Sequence, residues 1–358
     1  MNTIKKNSAK YKEWKKRNDA KKERSRLKHK NNHIYKNSIN SNNNSRADMP
    51  PYKTFSVPPI FSIVENPEQT ISFFNYMIKI IENIRKNIKN KKNIRSPYFF
   101  KIDMKDVKKI TGDALMYLLT VIRNTRGKKS LPINWVGNFP ENDEIKEFLQ
   151  VSGYLDYMKT DKKNLKKTNE KIQIRTGKTY VYTNDNIDIR KEVVDFTIEK
   201  LNKDKRELQF LFNILTEVIT NIEHAYNVKN ELIFEPSWYI MVENDKDKIK
   251  YTFMDNGLGI PTTVRKKTVE EVLKLLNLDQ EYKYIKTALD GSYKRTQTGK
   301  TERSTGLPDV YEKLKNKKIS NLIIISNYAY YCENRSRDML EDLTGTIICW
   351  EIEKEIIV

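Results

Sequence analysis

The sequence predicts a mixed α/β protein with two folded units behind a basic N-terminal tail, the second unit being an α+β sandwich. Three observations support this prediction. Residues 52–160 alternate between strand-like and helix-like apolar patterns, residues 172–358 combine a long amphipathic helix with a hairpin, and residues 1–48 are polar and highly charged. A chain of 358 residues is long enough for two domains, at about 100 to 200 residues each.

The tail carries most of the net charge. The whole chain has 67 Lys and Arg against 47 Asp and Glu, a formal net charge of +20. Residues 1–46 contain 15 of these basic residues and three acidic ones, which is a net charge of +12. Residues 1–48 are predicted to be disordered, because they cannot bury enough apolar surface to offset their ordering entropy. We expect residues 1–46 to bind nucleic acid or another polyanion, the alternatives being a solubilising tail and a contact with an acidic protein.

Composition excludes several classes of protein. No apolar run approaches the roughly 18 to 20 residues needed to cross a bilayer, and the N-terminus lacks the apolar core of a secretory signal. We therefore expect a cytoplasmic protein that does not enter a membrane. Cys332 and Cys349 are the two cysteines, and with three histidines they are too few for a disulfide framework or a Cys/His metal cluster.

Strands and helices alternate in the first unit, residues 52–160. Apolar residues at helical spacing predict a helix over residues 67–90. The predicted elements that follow are a strand at 98–104, a helix at 113–123, a strand at 131–136 and a helix at 141–149. This alternation is typical of a small layered α/β unit. Residues 161–171, which contain almost no apolar side chains, are predicted to link it to the second unit.

The second unit begins with a long helix whose polar face is a candidate site. Apolar residues recur at i, i+3, i+4 and i+7 from Leu208 to Ile222, which predicts a helix over residues 206–226 with one buried stripe. Glu217, Asn221 and His224 lie within about 60° of one another on the opposite side. Taken alone, such a polar trio is typical of a solvated helix surface.

A predicted hairpin follows this helix and ends in a glycine-rich turn. Alternating apolar residues predict strands at 238–242 and 249–253, with a polar turn between them. The second strand runs into Asp255-Asn256-Gly257-Leu258-Gly259. Two glycines permit a tight turn and the close approach of a flat ligand to the backbone, and Asp255 offers an acceptor for an exocyclic amine. Taken alone, the segment is equally consistent with an ordinary turn.

Together these motifs resemble the N box and first glycine box of the GHKL or Bergerat-fold ATPases, the superfamily of gyrase, histidine kinases and mismatch-repair ATPases. The matching residues are Glu217-x-x-x-Asn221 and Asp255-x-Gly257-x-Gly259. Residues 303–314 (RSTGLPDVYEKL) are similar to the hinge after the ATP lid, and residues 343–352 (LTGTIICWEI) to the terminal strand. The order and spacing of these four segments fit a histidine-kinase-like ATPase domain over residues 172–358.

The resemblance implies ATP and Mg²⁺ as cofactors and a role for each matching residue. Asp255 would accept a hydrogen bond from the adenine amine, and Thr346 would contact the adenine region. Gly257 and Gly259 would admit the base. Asn221 would hold magnesium against the phosphates, since an amide oxygen is a hard ligand of the kind this ion prefers.

The resemblance also implies a catalytic base and a mobile lid. Glu217 would orient the attacking water or hydroxyl, whereas His224 is expected to be structural. Residues 262–305 would form the lid over the phosphates, with Gly306 presenting helix amides to them. Lys300 and Arg303 are candidates for contacting the γ-phosphate, the alternative being solvated charges. Many relatives have a second glycine where this hinge has Pro308, so we expect altered lid geometry and slow turnover.

The first unit resembles the STAS-like domains, relatives of the anti-sigma-factor antagonists. The resemblance is carried by FFKIDMKDVKKITGDALMYLLTVIRNT and by the LPINWVGNFPENDEIKEFLQVSGYLDYM segment that follows. Such domains often carry a phosphorylatable serine, and Thr111 is the hydroxyl residue at that point here. The STAS-like unit is also a candidate surface for a protein partner.

Three functions fit these observations. The first is a Mg-dependent ATPase that acts as a nucleotide-controlled switch, favoured because Glu217 is present and positioning the nucleophile is most of this chemistry. The second is a protein serine/threonine kinase of the anti-sigma-factor type, with Thr111 as a candidate acceptor. The third is a nucleic-acid-binding protein regulated by ATP without significant turnover. A role in stress signalling or bacterial defence is compatible with the resemblance.

Overall fold

The computed structural model describes residues 52–89, 98–125, 131, 133–158, 165–177, 181–226, 234–267, 280–291 and 307–354, together with Asp19 and Lys22. Within these residues the protein is mixed α/β, with sheets of three, five and two strands. The fold class predicted from the sequence is confirmed at this level. Apart from Asp19 and Lys22, the predicted tail of residues 1–48 lies outside the described residues.

The N-terminal half is built on a small parallel sheet. Its strands are β1 (Tyr52–Ser56), β3 (Tyr98–Asp103) and β5 (Ile133–Gly137), in the order β1-β3-β5. Its helices are α1 (Pro67–Lys89), α2 (Gly112–Asn124) and α3 (Asp143–Val151). A short parallel pair, β2 (Ile60–Phe61) and β4 (Lys109–Ile110), and a 3-10 turn at Tyr154–Tyr157 complete it. The strands and helices predicted here are present, with ends shifted by one or two residues.

The C-terminal half is built on an antiparallel sheet. Its strands are β6 (Lys171–Gly177), β7 (Trp238–Asn244), β8 (Lys248–Asp255), β9 (Ser320–Cys332) and β10 (Arg337–Glu353), in the order β6-β7-β8-β10-β9. Its helices are α4 (Ile189–Leu201), α5 (Gln209–Tyr226), α6 (Ile260–Lys267), α7 (Glu281–Asp290) and α8 (Leu307–Lys315). The predicted long helix, hairpin and terminal strand are confirmed as α5, β7 with β8, and β10.

The five-stranded sheet packs into a different core on each face. Because side chains alternate along a strand, Phe253 and Ile348 point to one face, where they pack with Leu215 of α5. Met241 and Met254 belong to the other face and pack with α1 and α2. The N-terminal half therefore covers the sheet face opposite α5, and the two halves share one hydrophobic core.

Helix α2 is the central element of that shared core. Every residue from Gly112 to Ile122 is buried, as is typical of a helix that is apolar all round. It contacts α1, β7 and β8, and its C-cap Thr125 accepts a hydrogen bond from the Trp135 indole of β5 at 2.8 Å. A Cβ at Gly112 would lie 2.7 Å from the sulfur of Met241, so a larger residue where α2 meets the sheet would require that side chain to move.

Polar contacts also join the two halves. Asn75 of α1 donates from Nδ2 to Glu341 Oε2 in β10 at 2.9 Å. Arg337 pairs with Glu68 at 2.8 Å, at the start of the same helix. These contacts fix α1 along β10 in addition to the apolar packing.

The described part of the predicted linker, residues 165–171, lies against the N-terminal half. The Lys166 amide donates to the Gln150 carbonyl oxygen of α3 at 3.3 Å, and Leu165 packs against the shared core. Lys171 already belongs to β6. Among the helices that the structure describes, none is long and apolar enough to span a bilayer.

Candidate functional site

Asp255 lies at the end of β8, next to Thr346, which is also predicted to contact adenine. It is paired with Thr346 of β10 on one side and with Trp238 of β7 on the other. Asp255 follows Phe253 by two positions, and Thr346 precedes Ile348 by two, so both point to the sheet face covered by α5. Two side chains 91 positions apart in the sequence thus lie next to each other.

The Asp255 carboxylate is held in place and partly desolvated. Its Oδ1 accepts a hydrogen bond from the Gly257 amide at 2.8 Å, and the Thr346 side chain also hydrogen-bonds it. Burial raises the pKa of Asp255 to about 6, although these two hydrogen bonds lower it. An ionised carboxylate has about four acceptor positions, so this one can accept a further donor such as an exocyclic amine.

The glycine-rich turn is shaped by Gly259 and by a side chain from β9. Gly259 has a φ of +85°, and a Cβ there would collide with the carboxamide of Asn327. That carboxamide donates to the Leu258 carbonyl oxygen at 3.2 Å and accepts from the Thr262 hydroxyl at 3.1 Å. The turn and the first residues of α6 are therefore fixed to β9, and a side chain at position 259 would break this arrangement.

A second residue of β9 connects the turn to β10. The Ser326 hydroxyl accepts from the Ile260 amide at 2.9 Å, donates to the Gly345 carbonyl oxygen at 2.9 Å and lies 3.1 Å from the Thr346 hydroxyl. Neither Ser326 nor Asn327 was predicted as a site residue. The signal in the sequence is a pair of polar side chains within the apolar strand IIISNYAYY.

Helix α5 carries the predicted catalytic base on the same sheet face. Glu217 is 6% exposed, so the alternative of a solvated helix surface is wrong for this residue. A glutamate this deeply buried is uncommon outside paired or functional positions. Asn221 follows one turn later in α5, but its side chain and that of His224 lie outside what the structure describes.

The predicted lid, residues 262–305, is not a loop throughout. Residues up to Lys267 belong to α6, and Glu281–Asp290 form α7. Ile285 and Leu289 of α7 are buried in the core on the α5 side of the sheet. The segment assigned to the lid therefore contains helical residues, and the apolar stripe of α7 holds part of it against the core. Lys300, Arg303 and Gly306 lie outside the described residues.

The described acidic, histidine and cysteine side chains include no group of three or more placed to hold a metal ion. Magnesium is commonly bound by one or two protein ligands, with water and substrate phosphates completing its shell. A magnesium site that depends on Asn221 and on nucleotide phosphates is therefore compatible with the residues present.

Thr111 precedes α2 at the edge of the shared core. It is half-buried, its hydroxyl lies 3.4 Å from the Phe61 carbonyl oxygen, and its side chain also hydrogen-bonds Asp113. Asp113 in turn accepts from the Ile63 amide at 2.5 Å, and burial raises the pKa of this carboxyl. A hydroxyl with these partners is poorly placed to accept a phosphoryl group.

Comparison of the sequence with family models and with curated proteins finds no match. The functional assignment therefore rests on residues and geometry. The structure brings Asp255, Gly257, Gly259 and Thr346 to one corner of the sheet, and it places Glu217 on the helix over the same face.

Proposed function

We propose that this protein is a Mg-dependent ATP-binding protein that hydrolyses ATP and acts as a nucleotide-controlled switch. One observation carries the proposal: a partly desolvated carboxylate, Asp255, is held at a strand end by Gly257 and Thr346. It stands beside a glycine turn, on the sheet face covered by the helix that buries Glu217. Carboxylate, close-approach turn and second buried carboxylate are the parts that the GHKL resemblance assigns to adenine binding and to catalysis.

The Asp255 carboxylate favours adenine over guanine, because it accepts hydrogen bonds. The carboxylate already accepts from an amide and a hydroxyl, and the exocyclic amine of adenine supplies one more donor. Guanine presents a carbonyl oxygen at the corresponding ring position, which would face the carboxylate as acceptor against acceptor. The site is therefore proposed to prefer ATP to GTP.

Catalysis is assigned to the polar face of α5. Glu217 accepts a hydrogen bond from the attacking water and orients it toward the γ-phosphate, since phosphoryl transfer depends mainly on positioning and charge stabilisation. The Asn221 oxygen would hold the magnesium ion, which would neutralise charge on the phosphates. Lys300 and Arg303 remain proposed phosphate contacts of the lid.

The switch is proposed to act through the sheet itself. Asp255 faces the nucleotide side, whereas its neighbour Met254 is buried in the core shared with the N-terminal half. If nucleotide binding displaces the end of β8, the packing of α2 and α1 on that side of the sheet would therefore change. The STAS-like half is the proposed surface for a protein partner, and residues 1–46 are the proposed arm for nucleic acid or another polyanion.

Turnover of γ-³²P-labelled ATP by the full chain tests this proposal. The wild type is expected to release labelled phosphate in the presence of Mg²⁺, and Glu217→Gln is expected to lower the rate at least about 100-fold, the effect typical of losing general-base catalysis. Glu199→Gln, the same change at an exposed residue of α4, is the matched control. Equal turnover by wild type and Glu217→Gln would remove the catalytic assignment, and label retained on the protein would favour the kinase.

A further inference from the structure

A cavity of about 330 Å³ lies between the two halves of the protein, separate from the proposed nucleotide site. It is lined by the last turn of α2, by Tyr157 of the 3-10 turn, by the end of β6, and by Tyr239 and Asn256. Tyr239 belongs to the core that β7 and β8 share with α2. The cavity therefore opens on the sheet face opposite Asp255.

Arg123 is the basic residue among those that line this cavity. Its guanidinium donates to the Thr176 hydroxyl at 3.3 Å and lies 5.5 Å from the ring centroid of Tyr157 and 6.0 Å from that of Tyr239. Within the described ranges, Arg123 forms no ion pair with a carboxylate. A guanidinium has five N–H donors arranged as a planar fork that fits a carboxylate or a phosphate. The hydrogen bond to the Thr176 hydroxyl uses one of these donors and leaves most of the fork available.

The opposite wall is rigid. Asn256 is 2% exposed, and its carboxamide accepts from the Ser237 amide at 2.7 Å and donates to the Glu235 carbonyl oxygen at 2.8 Å. It also donates to the Ser237 hydroxyl at 3.0 Å. These three bonds hold the chain before β7 against the end of β8. Glu235 also lines the cavity, and its side chain is exposed to solvent.

We propose that this cavity binds a small organic anion, whose carboxylate or phosphate pairs with Arg123. The tyrosine rings flank the guanidinium, and the polar lining from Thr120, Asn124 and Asn184 would contact the polar body of the ligand. The volume is at the lower end of the range for small-molecule sites, about 300 to 1,000 Å³, which suits a small metabolite. This site lies on a different face from the ATP site and does not depend on the ATP proposal.

Calorimetric titration of the full chain, without nucleotide, tests the site with two probes. Ribose 5-phosphate represents phosphate ligands and glutarate represents carboxylate ligands. At least one probe is expected to bind the wild type and to bind Arg123→Gln at least tenfold more weakly. Arg206→Gln, which removes the same charge from an exposed turn, is the matched control and is expected to bind like the wild type.

A second variant separates the loss of the guanidinium from a folding defect in Arg123→Gln. Arg123→Lys keeps the charge and loses the fork, so it is expected to bind the preferred probe with an affinity between those of the wild type and Arg123→Gln. Binding of either probe that is equal in the wild type and both Arg123 variants would overturn the proposal. Failure of both probes to bind the wild type at millimolar concentration would also overturn it.

Discussion

Replacing Asp255 by asparagine is expected to stabilise the fold while weakening ATP binding. Burial raises the pKa of this carboxyl from 3.8 to about 6. A shift of this size means that the ionised carboxylate destabilises the folded state by about 3 kcal/mol at pH 7.5. An amide avoids that penalty but satisfies the Gly257 amide and the Thr346 hydroxyl less well, at a loss of about 1 kcal/mol. The net gain in unfolding free energy is therefore about 2 kcal/mol.

The sign of the effect depends on pH. The folded-state pKa lies above the unfolded one, so the penalty is absent below pH 3.8 and complete above about pH 6. The stability advantage of Asp255→Asn should accordingly shrink as the pH falls through this window. Urea unfolding of the nucleotide-free protein at pH 7.5 and pH 4.5 measures it. Asp247→Asn, at an exposed residue of the turn that precedes β8, is the control.

ATP binding by the same variant should weaken. One amide oxygen cannot serve the Gly257 amide, the Thr346 hydroxyl and the adenine amine together. Loss of a hydrogen bond to a charged acceptor is worth about 1.5 to 3 kcal/mol, or roughly 10- to 150-fold in affinity. A variant that is destabilised at pH 7.5 yet binds ATP normally would show that Asp255 is a structural residue and would refute this reasoning.

Three further predictions follow from particular contacts. Gly259→Ala should destabilise the protein by about 1 to 3 kcal/mol in thermal unfolding, because φ is positive and Asn327 occupies the space of a side chain. Gly137→Ala is the control and should change stability far less, because a Cβ there would lie 3.5 Å from the Ile102 carbonyl oxygen. ATP affinity of the wild type should fall about tenfold per pH unit below pH 6, because the ionised Asp255 is the adenine acceptor; a flat profile in fluorescence titrations between pH 5 and 7 would contradict this. Deleting residues 1–46 should lower nucleic-acid affinity at moderate salt and reduce the dependence of that affinity on salt concentration; unchanged binding would show that the tail is not the polyanion arm.

Local patterns in the sequence were sufficient for the elements that bear the site. The apolar stripe from Leu208 to Ile222 predicted α5, and strict alternation predicted β7 and β8, since burial on one face imposes these periods directly on the sequence. Asp255 and Thr346 were assigned through motif spacing, and strand pairing brings them together. These predictions depended on interactions within an element or on a recognised motif.

What the sequence did not predict depends on contacts between distant elements. The shared core forms where α2 packs on β7 and β8. The sequence feature that indicates this core is a helix that is apolar on every side, from Ala114 to Ile122. The support of the glycine turn by Ser326 and Asn327 joins residues more than 60 positions apart. The spacing of apolar residues along the sequence cannot predict contacts between residues this far apart. These contacts depend on the order of strands in the sheet, with β10 between β8 and β9.

The most direct test of ATP recognition compares ATP with purine riboside triphosphate, which lacks the exocyclic amine, in wild type and in Asp255→Asn. Equilibrium binding with Mg²⁺ should show that the wild type prefers ATP by at least about tenfold, the value of a hydrogen bond to a charged acceptor. Asp255→Asn should lose most of that preference, so that the two changes are coupled. Equal affinity of the wild type for both nucleotides, or an undiminished preference in Asp255→Asn, would contradict the assignment of Asp255 as the adenine acceptor.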